Sequence, residues 1–181
     1  KESSAASDVY KRQLHDGMYC MPLAFAFPED DFARRVEDEV MIGESLLIAP
    51  VYEQNARGRY VYLPEEMLQV RVKCSESNRM ETSVLPAGHH YIPVELDEVV
   101  FFVRKGHLLP LAKDGKKIQS VADVDFADLR LLAYAPDGAS YEYYTDDGET
   151  KDYDKPEHFV QITLDADGNA KSDRATVKVE G

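Results

Sequence analysis

Apolar positions are bunched near the start of the chain and alternate with polar ones further on. Residues 19–27 form a near-continuous apolar run, closed by Pro28 and the acidic turn Glu29-Asp30-Asp31. A second run, residues 45–51, is ended by its proline, Pro50. Short runs of this kind predict strands buried on both faces, as in a parallel sheet. Between them Phe32, Val36 and Val40 recur at i, i+4, i+8. That spacing puts side chains on one helix face and predicts a short helix, stopped by Gly43.

After Val51 the period changes to two. Residues 59–63 alternate and end at Pro64, and residues 69–74 alternate with Val70, Val72 and Cys74 on one face. Residues 76–82 read as a polar loop, and residues 89–94 come after Gly88 as a strand. Residues 98–104, the strongest strand pattern, lead through Lys105-Gly106 into residues 107–111. Short strands and turns at this spacing predict an antiparallel β-sandwich. Residues 113–117, charged around a central glycine, are the best linker candidate. Beyond them residues 129–134, 139–145 and 158–164 predict three more strands, with 174–179 as a further candidate. Asp137-Gly138 and Asp167-Gly168 predict hairpin turns, because both residue types tolerate positive φ.

The predicted fold is mainly β: two consecutive antiparallel β-sandwich domains preceded by a short α/β remnant. Residues 1–13 have no initiating Met, no apolar period and no cap signal, and are read as a non-native or disordered leader. The α/β stretch covers residues 14–50, the proximal sandwich 51–112, the linker 113–122 and the distal sandwich 123–181. So short an α/β stretch cannot cover strands buried on both faces. The native sequence is therefore expected to be a piece of a longer protein, entered near Leu14.

Charge narrows the partners. The 181 residues carry 34 acidic and 21 basic side chains, a net −13. Residues 123–181 hold 15 acidic against 6 basic residues, a net −9. So acidic a surface repels phosphates, which argues against nucleic acid and anionic membranes and is compatible with a neutral sugar. Two cysteines far apart, Cys20 and Cys74, make no disulfide framework and are expected to be buried and reduced. No run of about 18 apolar residues predicts a membrane span, and no secretory leader is visible. The expected location is cytoplasmic.

Five segments resemble glycoside hydrolase family 31, the α-glucosidases and α-xylosidases. Residues 21–30, MPLAFAFPED, are similar to the segment on the last strand of that family's catalytic barrel. Residues 38–51, DEVMIGESLLIAPV, resemble its D-Q-F-M-L-G-D-S-L-L-V-A-P-V signature, with Glu39 where Gln is common and Glu44 where Asp is common. Residues 56–64, ARGRYVYLP, resemble the start of its first C-terminal sandwich, residues 103–110 its V-R-x-G-x-I-L-P strand, and residues 143–150 its Y-x-D-D-G-x-T turn. The order and spacing are those of the family over roughly residues 18–160. One departure is the absence of any Trp after Pro64, where many members carry G-x-W-Y-D-x-W-T-G.

The resemblance implies that residues 14–50 are the end of a (β/α)8 barrel and that the parent is a retaining α-glycosidase. Retaining hydrolysis needs two carboxylates flanking the glycosidic bond. In the family both are aspartates on earlier barrel strands, so no catalytic, cofactor-binding or metal residue is assigned in this chain and the chain alone is expected to be inactive. The implied partner is an α-linked oligosaccharide, met through the barrel, and a homo-oligomeric parent is compatible with the sequence. The alternative is a free-standing carbohydrate-binding β-sandwich.

Other chemistry finds little support among the remaining residues. Glu29, Asp30 and Asp31 read as a turn that caps the next helix, and Asp38 and Glu44 as hydrogen-bonding loop acids. Asp146, Asp147, Glu149, Asp152 and Asp154 invite a calcium reading, but Tyr143 and Thr145 stand where an EF-hand needs ligands. His89 and His90 point to opposite faces of a strand and cannot chelate one ion, and His107 and His158 lack ligand spacing. Tyr134, Tyr141, Tyr143, Tyr144, Tyr153 and Phe159 are either half-buried sheet residues or a sugar platform, and the sheet reading is favoured.

Overall fold

The computed structural model describes residues 17–76, 79–112, 129–144, 155 and 158–172. The chain divides into two compact units, one built from residues 20–105 and the other from residues 1–19 with 106–181.

The first unit opens with strand β1 (Cys20–Pro22), a single helical turn α1 (Leu23–Ala26) and a 3-10 turn (Ala33–Arg35). Strands β2 (Val40–Ile42) and β3 (Leu46–Ile48) come next as a tight hairpin, with Gly43 at φ +61° in its turn. Then come β4 (Gly58–Leu63), β5 (Met67–Lys73), β6 (Arg79–Leu85), β7 (Gly88–Pro93) and β8 (Glu98–Arg104). Six strands join in the order β1-β2-β3-β8-β5-β6, every neighbour antiparallel, while β4 and β7 form a separate two-stranded sheet.

The core of this unit draws on both sheets. Met41, Leu47, Met67 and Phe102 from the large sheet meet Val61, Leu63 and Ile92 from the small one, with Leu23 and Ala33 added from the entering segment. All nine are nearly inaccessible to solvent. Truncating a side chain so placed, such as Leu47→Ala, costs about 3 kcal/mol through lost transfer energy and the cavity left behind. Gly58 permits the close pairing of β4 with β7: a Cβ there would overlap the Ile92 carbonyl oxygen.

The second unit pairs β9 (His107–Ala112) with β10 (Leu129–Tyr134), and β12 (Phe159–Leu164) with both β11 (Ala139–Tyr144) and β13 (Ala170–Ser172). All pairings are antiparallel. Leu108 of β9 packs with Tyr143, Val160 and Ile162 of the other sheet, flanked by Leu129, Leu131 and Leu164. Gly138 and Gly168 sit at φ +87° and +83°, as the two Asp-Gly turns require.

Four sequence expectations are corrected. The apolar runs of residues 19–27 and 45–51 are not parallel strands buried on both faces. In the first run only Leu23 is buried and the chain forms β1 and α1, with β1 antiparallel to β2; in the second Ser45 and Leu47 are buried, the rest being half-buried or exposed, and β3 runs antiparallel to both β2 and β8. The helix expected from Phe32, Val36 and Val40 is a 3-10 turn, and Val40 already belongs to β2. The polar loop at 76–82 becomes strand from Arg79 onward, an exposed edge strand paired only with β5. Cys20 and Cys74 are exposed free thiols, not buried ones. The expected linker 113–122, the leader 1–13 and the candidate strand 174–179 lie outside the described residues.

Candidate functional site

The richest polar and aromatic cluster of the first unit is built around β4. Strand alternation points Val61 and Leu63 into the core and leaves Tyr60 exposed and Tyr62 half-buried. Across the small sheet, Tyr60 is paired with Tyr91 and Tyr62 with His89. The Tyr60 and Tyr91 rings meet edge to face with centroids 5.3 Å apart. The Tyr62 and His89 rings lie 4.8 Å apart, and Phe32 contacts both, at 5.6 and 5.3 Å.

The acidic turn expected at residues 29–31 does act as a cap, here on the 3-10 turn. Asp30 accepts from the backbone N–H groups of Phe32 and Ala33 at 2.8 and 3.1 Å. It also accepts the Tyr62 hydroxyl at 2.6 Å, which ties the turn to β4. Desolvation works to raise the Asp30 pKa, but the hydrogen bonds from Tyr62, Ala33 and Phe32 outweigh it and hold the carboxyl below its usual range. The Tyr62 phenol is pushed up to about 12 by desolvation, by its donated hydrogen bond and by the nearby negative charge.

On the other side of β4, Arg59 holds the segment that precedes β2. Its Nη2 pairs with Asp38 at 2.6 Å, its Nη1 donates to the Asp38 and Pro50 carbonyl oxygens at 3.1 and 2.9 Å, and its guanidinium lies 5.7 Å from the Tyr52 ring. Asp38, expected to bond within its own loop, bonds to β4 instead and also accepts the Tyr52 hydroxyl at 3.3 Å.

Glu39 beside it is buried, with 5% of its surface exposed. Its Oε1 accepts the Tyr62 N–H at 2.8 Å and lies 3.9 Å from Arg59 Nη2, while its Oε2 has no hydrogen-bond partner among the described residues. Burial dominates and pushes its pKa up to about 7 against the opposing effects of the Tyr62 N–H and Arg59. Glycosidic chemistry needs an acid and a nucleophile facing the two sides of one bond across a cleft. Asp38 and Glu39 do not offer that, because one is held by Arg59 and Tyr52 and the other is almost wholly buried.

A groove of about 1240 Å³ is lined by Arg71, Lys73, Glu81, Glu98 and apolar residues of β4, β7 and β8. Several of its charges are paired: Arg71 with Glu98 at 2.7 Å, Lys73 with Glu95 at 3.6 Å and Glu81 with Arg79 at 2.8 Å, while Glu53 and Arg57 also line it.

The remaining sequence candidates scatter. Tyr143 and Tyr144 are buried, Tyr143 within the core of the second unit and Tyr144 against Phe159 at 5.4 Å and His158 at 5.7 Å, so neither presents a face to sugar. His90 lies 2.8 Å from the Pro86 carbonyl oxygen, on the face opposite His89. Among the described residues no three His, Cys, Asp or Glu side chains gather as a metal group. The acids from Asp146 to Asp154 and Tyr153 lie outside the described residues. Sequence reading missed Phe32, Tyr60 and Tyr91. The available signal was the ring at every second position in both Tyr60-Val61-Tyr62 and His89-His90-Tyr91.

Similarity to known proteins adds to this geometry. The family profile described as the glycosyl hydrolase family 31 C-terminal domain matches residues 17–109, just over half of the chain. The α-xylosidase of Saccharolobus solfataricus is 31% identical over 149 residues, 81% of this chain and 19% of that protein. Alpha-glucosidase 2 of Bacillus thermoamyloliquefaciens is 26% identical over 161 residues, 88% of this chain and 19% of that protein. The crystal structure of the family 31 α-xylosidase from Xanthomonas citri superposes with a TM-score of 0.68 at 25% identity, covering 88% of this chain and 16% of that one. This chain thus spans less than a fifth of the length of each.

Proposed function

We propose, from the premise that this chain belongs to glycosyl hydrolase family 31, that it is the C-terminal part of a retaining α-glycosidase acting on terminal α-glucosidic or α-xylosidic bonds. In this reading residues 14–50 are the end of the catalytic barrel as it passes into a proximal sandwich, and a distal sandwich comes after it. The acid and the nucleophile belong to segments outside this sequence. Substrate reaches the parent through the barrel, and the two exposed thiols favour a reducing compartment such as the cytoplasm.

One observation carries the reading: relatives named α-glucosidase and α-xylosidase match over most of this chain and less than a fifth of themselves. The fold supplies a physical role for such a part. The segment that enters at Cys20 is bound into the sheet at three places. β3 pairs with β8 and carries β2 on its other edge; Arg59 grips Asp38 and Pro50; and Arg104 stacks 4.6 Å over Phe27 while pairing with Glu65 at 2.7 Å. A barrel strand leading into this segment would be held in position by a rigid β-structure. Such support acts on the geometry of catalytic groups without touching substrate.

The test is hydrolysis of p-nitrophenyl α-glucoside and α-xyloside by the purified chain. No turnover is expected. Activity that stays with the chain through purification would overturn the reading.

A further inference from the structure

The outer face of the β4–β7 sheet has one property that core packing does not explain. Its outward positions carry Tyr60 and Tyr62 on one strand and His89 and Tyr91 on the other, with Phe32 added beside the second pair. Tyr60 is 71% exposed, Tyr91 54% and Phe32 56%. Each strand contributes rings, and none of these five positions is aliphatic.

We propose that this face binds a neutral α-linked oligosaccharide, stacked along the ring strip. The proposal rests on the α-glycosidase reading above, which supplies the sugar class. Three arguments carry it. The first is chemical. A pyranose presents an apolar C–H face edged by hydroxyls, and a tyrosine presents an aromatic face with a polar tip, so the two match in both respects. The Tyr60–Tyr91 and Tyr62–His89 pairs succeed one another along the strands by two residues, about 7 Å, a reach suited to successive sugar units.

The second argument is size. Two six-residue strands make a strip about 20 Å long and about 10 Å wide, roughly 200 Å². A stable protein interface needs about 800 Å² from each partner. The ring strip by itself falls below that size and is large enough for a short glycan. The third is pre-organisation and charge. The Phe32, Tyr62 and His89 rings brace one another, and the Tyr62 hydroxyl is fixed on Asp30, so little side-chain freedom is left to lose on binding. A chain of net charge −13 disfavours an anionic ligand and leaves a neutral one unaffected.

The experiment is calorimetric titration of the full chain with maltohexaose, isomaltohexaose and a xyloglucan heptasaccharide, repeated with the Tyr60→Ala/Tyr91→Ala double variant. At least one sugar is expected to bind the wild-type chain. The double variant should lose about tenfold or more in affinity while remaining folded, since both side chains are more than half exposed. Tyr60→Trp should retain or strengthen binding, which a merely structural tyrosine would not predict. Absence of heat with all three sugars, or binding unchanged in the double variant, overturns the proposal. So does a concentration-dependent dimer abolished by the double variant, which would assign the face to a second copy. Because these readouts do not involve hydrolysis, they fail or succeed separately from the test of the α-glycosidase reading.

Discussion

The Tyr62 hydroxyl donates to the Asp30 carboxylate at 2.6 Å, joining a turn near the start of the chain to a strand thirty-two residues later. The same tyrosine donates its backbone N–H to Glu39. One residue of the R-Y-V-Y-L-P motif thus holds both ends of the segment that runs from the acidic turn into β2.

That bond has a pH signature. The Asp30 pKa is lowered in the folded state, so its contribution is present above the ordinary aspartate range and is lost as pH falls through the lowered value. Tyr62→Phe should destabilise the first unit by about 1 kcal/mol near neutral pH and much less in acid. Urea melts across the acid range check this. Phenolate absorbance should show one tyrosine titrating near 12 in the wild type and earlier in Asp30→Asn, where the neighbouring charge is gone.

Glu39 behaves in the opposite sense. Its folded pKa is raised to about 7, so the folded state binds the proton more tightly than the unfolded chain. Stability is fully present below the unfolded glutamate value of about 4.3 and is lost as pH rises through about 7. Glu39→Gln removes the ionisation and keeps an acceptor for the Tyr62 N–H. The variant should exceed wild type by about 1–2 kcal/mol at alkaline pH and match it in acid. A wild-type advantage that grows toward alkaline pH would contradict the placement of this carboxyl.

Arg59 satisfies several acceptors at once, and removing it strands them. Arg59→Ala should cost about 2–4 kcal/mol and raise the Glu39 pKa further, because the guanidinium charge opposes the effect of burial. Arg59→Lys should recover only part of the loss, since an ammonium cannot reach Asp38 and the Pro50 carbonyl together. Urea melts of the three chains check this, and equal stability of the Lys and wild-type chains would refute the clamp.

Gly58 and Gly106 both have positive φ, +150° and +76°, yet differ in surroundings. A Cβ on Gly106 meets nothing within 4 Å, whereas one on Gly58 overlaps the Ile92 carbonyl oxygen. Gly106→Ala should cost about 1 kcal/mol from backbone strain alone. Gly58→Ala should cost more and loosen the β4–β7 pairing, seen as faster amide exchange in β4. Equal costs would mean that the close approach is not maintained in solution.

The longer strands were readable from dense runs of β-branched, aromatic and aliphatic residues bounded by turn signals. Glu98–Arg104 and Leu129–Tyr134 fall where their patterns place them. β6 was not readable, since an edge strand with Glu81, Thr82 and Ser83 exposed has no core face to leave a mark. The apolar runs near the start misled through their shortness. Three-residue strands such as β1 and β3 give no room for a period to show, so partial burial looked two-sided. The aromatic strip was hidden for another reason: Tyr60 meets Tyr91, and Tyr62 meets His89 beside Phe32, only because β7 returns to β4 across the two intervening strands, a pairing that local pattern does not encode.

The most direct measurement is made on a chimera. The C-terminal portion of the Saccharolobus solfataricus α-xylosidase, the 31%-identical relative, is exchanged for residues 14–181 of this chain, and xyloside hydrolysis is compared with that of the same enzyme truncated at the junction. The chimera should hydrolyse the xyloside where the truncated enzyme does not, and Leu47→Ala, which loosens the core under the entering segment, should lower its thermal half-life. A soluble chimera no more active than the truncated enzyme would contradict the claim that this chain is the supporting end of a family 31 glycosidase.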